Sequence, residues 1–141
     1  MSLLQKAVQL LAKPMPKVIS PKAHAIADYS TALLFIVGAG MFWKRNKRAA
    51  VASLVCAATE VGVAALTDYP GGVKRAISFP LHKKIDLGLA SMVATMPEFF
   101  SFADQKEKRF FAVQAAVIAG VTQLTSFGPQ AIPGERESAV A

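Results

Sequence analysis

A chain of 141 residues, 53% hydrophobic and 18% charged, has room for one domain or two very small ones and is too apolar for an ordinary soluble domain of that length. Its net charge of +7 does not point to nucleic acid, because the lysines and arginines sit in tails and loops that edge apolar blocks, as in membrane proteins. The single cysteine, Cys56, lies within an apolar block, which excludes an intrachain disulfide and a thiolate metal cluster and marks it as an inert buried thiol.

The first segment, 1–18, carries Leu3, Leu4, Ala7, Val8 and Leu11 on one helical face, with Gln5, Lys6, Gln9 and Lys13 mostly opposite. That pattern predicts an amphipathic helix lying in a membrane interface, or one packing on another subunit. No uninterrupted apolar run marks a cleavable signal peptide there, and Pro14 and Pro16 end the helix. A first span is expected to start at the helix-capping pair Ser20-Pro21 and to close at Trp43, before KRNKR at 44–48. A second covers 49–67, nineteen residues with one charge, Glu60, and the turn DYPGG follows. A third runs from about Leu81 to Phe102 and is kinked by Pro97. The stretch 103–109 then turns the chain into a fourth, 110–127, which lacks the polar face a soluble helix needs. A tail at 129–141, rich in proline and glycine, is expected to be flexible.

A shift of 58 residues aligns the chain with itself. Ile19, Ser20, His24, Asp28 and Ala32 fall on Ile77, Ser78, His82, Asp86 and Ala90, and VGVAALT (61–67) falls on AGVTQLT (119–125). We read this as a tandem duplication of a two-helix hairpin, the units covering 19–72 and 77–128. The expected fold is all-α: a four-span transmembrane bundle preceded by an interfacial helix. Because each unit crosses the membrane twice, both copies share one orientation and an approximate two-fold axis along the membrane normal. One mouth then collects His24, His82, Asp28, Asp86, Asp68, Thr67 and Thr125. Small residues four apart, Ala58 with Gly62 and Ala116 with Gly120, predict close helix contact, either between the halves or with a partner subunit.

The Asp86-Leu87-Gly88 entry, the late Pro97, the phenylalanine-rich end and the small-residue helix that follows resemble the SPW-repeat group, small bacterial membrane proteins of tandem two-helix units. The resemblance covers 78–128 well and 20–70 more loosely. Met96-Pro97-Glu98 stands where that group carries Ser-Pro-Trp. The resemblance implies topology only, and no activity; the expected location is a bacterial inner (plasma) membrane.

The i, i+4 spacing places His24 with Asp28, and His82 with Asp86, on one face of each helix. His24 can also reach Asp86 across the axis, and His82 can reach Asp28. The favoured reading is a polar clasp between helices, since unpaired groups of this kind are costly in lipid. One alternative makes His24 and His82 ligands of a haem b or a divalent metal. The other makes the mouth and Glu60 a proton, ion or small-molecule pathway. Glu60, whose counterpart is Ile118, is expected to be neutral and hydrogen-bonded to Gln114, Gln123 or a histidine, with a proton relay as the functional alternative; Glu98 is expected to be a snorkelling or salt-bridged end residue. No hydrolase motif or phosphate loop occurs. The sequence therefore points to a non-enzymatic accessory or assembly protein needing no cofactor, with the lipid bilayer, other membrane subunits or a second copy as partners. Its termini are marginally placed in the cytoplasm by a Lys/Arg split of 9 to 7.

Overall fold

A computed structural model describes Ser2, Gln5 and residues 15–127. The interfacial helix expected at 1–18 and the tail at 129–141 lie essentially outside the described residues. Four helices follow in chain order: α1 (Pro21–Phe42), α2 (Lys47–Ala65), α3 (Phe79–Phe99) and α4 (Gln105–Leu124). No strand occurs among the described residues, so the fold is all-α as expected. Two helices, α1 and α2, are long and apolar enough to cross a membrane. The other two have similar lengths, 21 and 20 residues, and carry more charge. The loops are shorter than the sequence suggested: most of the turn expected at 103–109 is helical, because Asp104 stands at the N-cap and α4 starts at Gln105.

The helix starts are chemically set. Ser20 and Ser78, 58 residues apart, cap α1 and α3 by accepting from Ala23 N at 3.2 Å and Leu81 N at 3.3 Å, with proline in the first turn of each. Asn46 caps α2 through Ala49 N at 3.1 Å and donates to Asp104, its counterpart 58 positions on, at 2.8 Å. Pro97 falls within the last turn of α3, and Ser101 beyond it adopts a left-handed φ of 54° that turns the chain toward α4.

Packing joins α1 to α2 and α3 to α4, and contacts of α1 with α4 and α2 with α3 close the ring. In that ring α1 stands diagonally across from α3. Each hairpin also reaches over to the other. Ile19 N donates to Leu124 O at 3.0 Å and Ile77 N to Leu66 O at 2.8 Å. Ser126 N in turn donates to Ile19 O at 3.2 Å, and Asp68 N to Ile77 O at 2.8 Å. Both members of each pair sit 58 residues apart.

The interior has two unlike halves. Toward the α1–α2 and α3–α4 loops, Phe35, Phe42, Phe102, Phe111, Val93 and Met96 form an apolar core, its rings meeting Phe110 and each other at centroid distances of 5.3–6.1 Å. Gly38 admits the Phe110 ring, since an added Cβ would lie 2.6 Å from its Cζ. Beside this core Glu107 is buried and takes two bonds from Arg45, from Nη2 at 2.6 Å and Nε at 2.9 Å. The other half is polar. Outward, by contrast, the helices show Ile26, Leu33, Ile36, Met41, Leu54 and Val113.

Candidate functional site

The polar half is centred on two imidazoles. His24 from α1 and His82 from α3 are 0% and 1% exposed, and their Nε2 atoms face each other at 3.2 Å. Asp28 and Asp86, one turn further along the same helices, close a four-membered arrangement. Nε2 of His24 lies 3.3 Å from Asp28 Oδ1 and 3.1 Å from Asp86 Oδ2. Nε2 of His82 lies 3.3 Å from Asp28 Oδ2 and 3.0 Å from Asp86 Oδ1. The cross-axis pairs expected from the sequence, His24 with Asp86 and His82 with Asp28, are both made. So are the pairs within each helix.

The far nitrogens define which proton each ring carries. His24 Nδ1 is 2.7 Å from Thr125 Oγ1, and His82 Nδ1 is 2.7 Å from Thr67 Oγ1. Each threonine spends its own hydroxyl proton one turn back, on Val121 O and Val63 O respectively, both at 2.6 Å. A hydroxyl committed to a carbonyl must accept from its other neighbour. Both rings therefore carry a proton on Nδ1, and both bare Nε2 lone pairs point inward in the neutral form.

Each carboxylate is also held from outside. Tyr69 in the α2–α3 loop donates to Asp28 Oδ2 at 2.7 Å, and Thr122 of α4 donates to Asp86 Oδ2 at 2.9 Å. Burial first, and then the neighbouring Asp28 carboxylate, push the Tyr69 phenol above its ordinary range, so it stays a neutral donor. The loop owes its shape to Gly72: a Cβ there would lie 1.8 Å from Thr67 O. Phe79 and Phe127 meet at 4.4 Å with their rings tilted by 45°, and both pack edge-on to His24, at 5.6 and 5.3 Å.

Other sequence expectations meet different outcomes. Asp68 is not in the cluster: it faces solvent and lies 3.3 Å from Arg75, because its backbone N–H is taken by Ile77 and its side chain turns outward. Glu60 is 3% exposed and within electrostatic reach of Asp28, Asp86 and His82. Its Oε1 has no hydrogen-bond partner, and the same holds for Gln114 Oε1 and Ser53 Oγ. The expected bond from Glu60 to Gln114, Gln123 or a histidine is absent, since the imidazole donors are spent on Thr67 and Thr125. Glu98 is exposed. Ala58 and Ala116 face outward, and a Cβ added at Gly62 or Gly120 would meet nothing within 4 Å. The small-residue stripes thus do not join the two halves. Cys56 is buried and free.

Two participants escaped the sequence reading: Tyr69 sits in the DYPGG turn, and Thr122 at a position whose counterpart is Ala64. At the other end of the bundle, the buried Glu107 falls in a stretch expected to be a charged turn. The threonine signal was present for Thr122 in principle, one turn before Thr125 on the same helix face.

Four ligand-type residues, His24, Asp28, His82 and Asp86, each offer an atom within 4.8 Å of the others. The fold and site together define an all-α four-helix bundle with a buried His/Asp cluster shared between two hairpins. A comparison with protein-family models finds none that matches the chain, and comparisons with curated proteins and with solved structures find no significant match.

Proposed function

We propose that the protein is a four-span integral membrane protein, made by tandem duplication of a two-helix hairpin, that serves without enzymatic chemistry as an accessory or assembly subunit of a larger membrane complex. The observation that carries this reading is the inverted distribution of side chains. His24, Asp28, Glu60, His82, Asp86 and Gln114 are buried, while Leu33, Ile36, Val37, Met41, Val61 and Val113 are at least 40% exposed. Such a surface suits hydrocarbon and not water, and an interior ionisable cluster is where a membrane protein keeps its polar groups. Support for the duplication comes from hydrogen bonds repeated between residues 58 positions apart. At 1.5 Å per residue, α3 and α4 reach ~30 Å, the thickness of a hydrocarbon core.

The outward stripes Ala58/Gly62 and Ala116/Gly120 are the surfaces on which partner helices pack closely. The bacterial inner membrane, with both termini cytoplasmic, is the location in keeping with the SPW-repeat resemblance and the narrow Lys/Arg excess. The test is twofold. The protein remains in the membrane fraction through alkaline carbonate extraction, and Gly62→Leu with Gly120→Leu removes co-purifying subunits while leaving the helical spectrum unchanged. Release by carbonate, or partners retained by the double variant, defeats the reading.

A second reading, a proton- or cation-handling protein, is favoured by one observation: the unpartnered carboxylate oxygen of Glu60 on the cluster side of the aromatic core. Proton flux into liposomes that disappears in Glu60→Gln is its expected signature; equal flux from protein-free vesicles removes it.

A further inference from the structure

We propose that His24, Asp28, His82 and Asp86 bind one divalent first-row transition-metal ion, held between the two hairpins. This goes beyond the accessory role and does not depend on it.

The first argument is the direction of the donors. With both rings protonated at Nδ1 toward Thr67 and Thr125, two bare nitrogens and two carboxylates converge on one point. Nothing among these four groups supplies a donor there while the rings are neutral. The cluster then carries two buried negative charges, which is costly unless a cation offsets them. Protonating both rings would balance the charge, but it would set two imidazolium N–H groups head to head with their nitrogens 3.2 Å apart. A single divalent ion offsets both charges and takes up all four lone pairs.

Spacing supplies the second argument. Metal–ligand bonds of ~2.0–2.1 Å in a tetrahedral site place neighbouring ligand atoms ~3.3 Å apart. The two nitrogens lie 3.2 Å from each other, and each lies 3.0–3.3 Å from one oxygen of each carboxylate, a different oxygen for each ring. One ligand atom from each of the four residues falls within 4.8 Å of the others, a set that has to draw in slightly to reach that spacing. This ligand set, two imidazoles and two carboxylates, suits zinc, iron(II), cobalt(II) or manganese(II) better than a thiol-seeking ion. It does not suit haem, since Asp28 and Asp86 fill the plane between the rings that a porphyrin would need.

The third argument is the outer layer. Metal sites orient each ligand with a second hydrogen bond. Here each of the four has one: Thr125 for His24, Thr67 for His82, Tyr69 for Asp28 and Thr122 for Asp86. A clasp needs only that its members meet. A layer of partners that fixes tautomer and carboxylate rotation is what a coordination site needs in addition.

The experiment uses the full chain purified in detergent, stripped with a chelator and titrated with cobalt(II) and separately with zinc(II). The expected result is one ion per chain, with a d–d absorption of four-coordinate cobalt that zinc abolishes. The double variant His24→Ala/His82→Ala loses the band. Asp86→Asn, which keeps the shape of the side chain, weakens binding at least 100-fold while the helical spectrum persists. Thr67→Val weakens it ~10–100-fold, the usual effect of losing an outer partner. Absence of a d–d band and of stoichiometric metal in the folded wild type overturns the proposal. So does a band that survives in the double histidine variant.

Discussion

The two ends of the bundle are both buried and are built on opposite principles. At the loop end, Phe35, Phe42, Phe102 and Phe111 fill space. That half is held mainly by contact area, which has no direction, with the Arg45–Glu107 pair beside it. At the mouth end, His24, His82, Thr67 and Thr125 are almost fully buried as well, but their hold is a set of bonds that each require one proton in one place. The difference teaches that a small helical bundle can separate two tasks along one axis. Shape complementarity supplies stability, and an adjoining polar half specifies chemistry.

That separation breaks most visibly where volume is removed. Phe111→Ala should cost ~3–5 kcal/mol by opening a cavity, read as a lower midpoint in a thermal or detergent-denaturation scan, while cobalt binding by the surviving folded fraction is retained. The same variant abolishing binding without a stability loss would erase the distinction between the ends. Arg45→Ala should cost roughly 1–3 kcal/mol, because it strands the buried Glu107 carboxylate while Arg45 itself is half exposed; Arg45→Ala with Glu107→Gln together should recover much of that loss. Thr125→Val keeps volume and removes the acceptor for His24, so it should cost about 1 kcal/mol in stability and show mainly as weaker metal binding. At the small end, Gly62→Ala should fall within about ±0.5 kcal/mol, since its added methyl meets no atom of the chain. A larger change would place that face inside the bundle's own packing.

Much of this was legible because the chain says it twice. The 58-residue shift located His24, Asp28, His82 and Asp86 together, and it put Thr67 and Thr125 at the same mouth. Its power came from pairing rare polar residues, whose coincidence in one register is informative in a way that Ala or Val matches are not. What it missed lies where the two aligned segments differ. Tyr69 answers to Phe127 and Thr122 to Ala64, so no internal comparison flags them. Asp68 was misassigned for a related reason: nearness along the chain to Thr67 does not fix which way a loop side chain turns. Glu107 was hidden by its neighbours Lys106 and Lys108, which suggested a solvated turn. Only the packing reveals that helix α4 begins early enough to bring that carboxylate inside, against Arg45.

The threonine bonds are exchanged between the hairpins rather than kept within them. His24 belongs to the first hairpin and has its proton position set by Thr125 of the second; His82 belongs to the second and is set by Thr67 of the first. Neither hairpin is therefore chemically finished alone. Each lends the other the group that tells its imidazole which nitrogen to keep bare. Synthesised as two polypeptides cut within 73–76, the halves carry reciprocal instructions and should find one another as a heterodimer, the finished cluster being the reward of correct pairing.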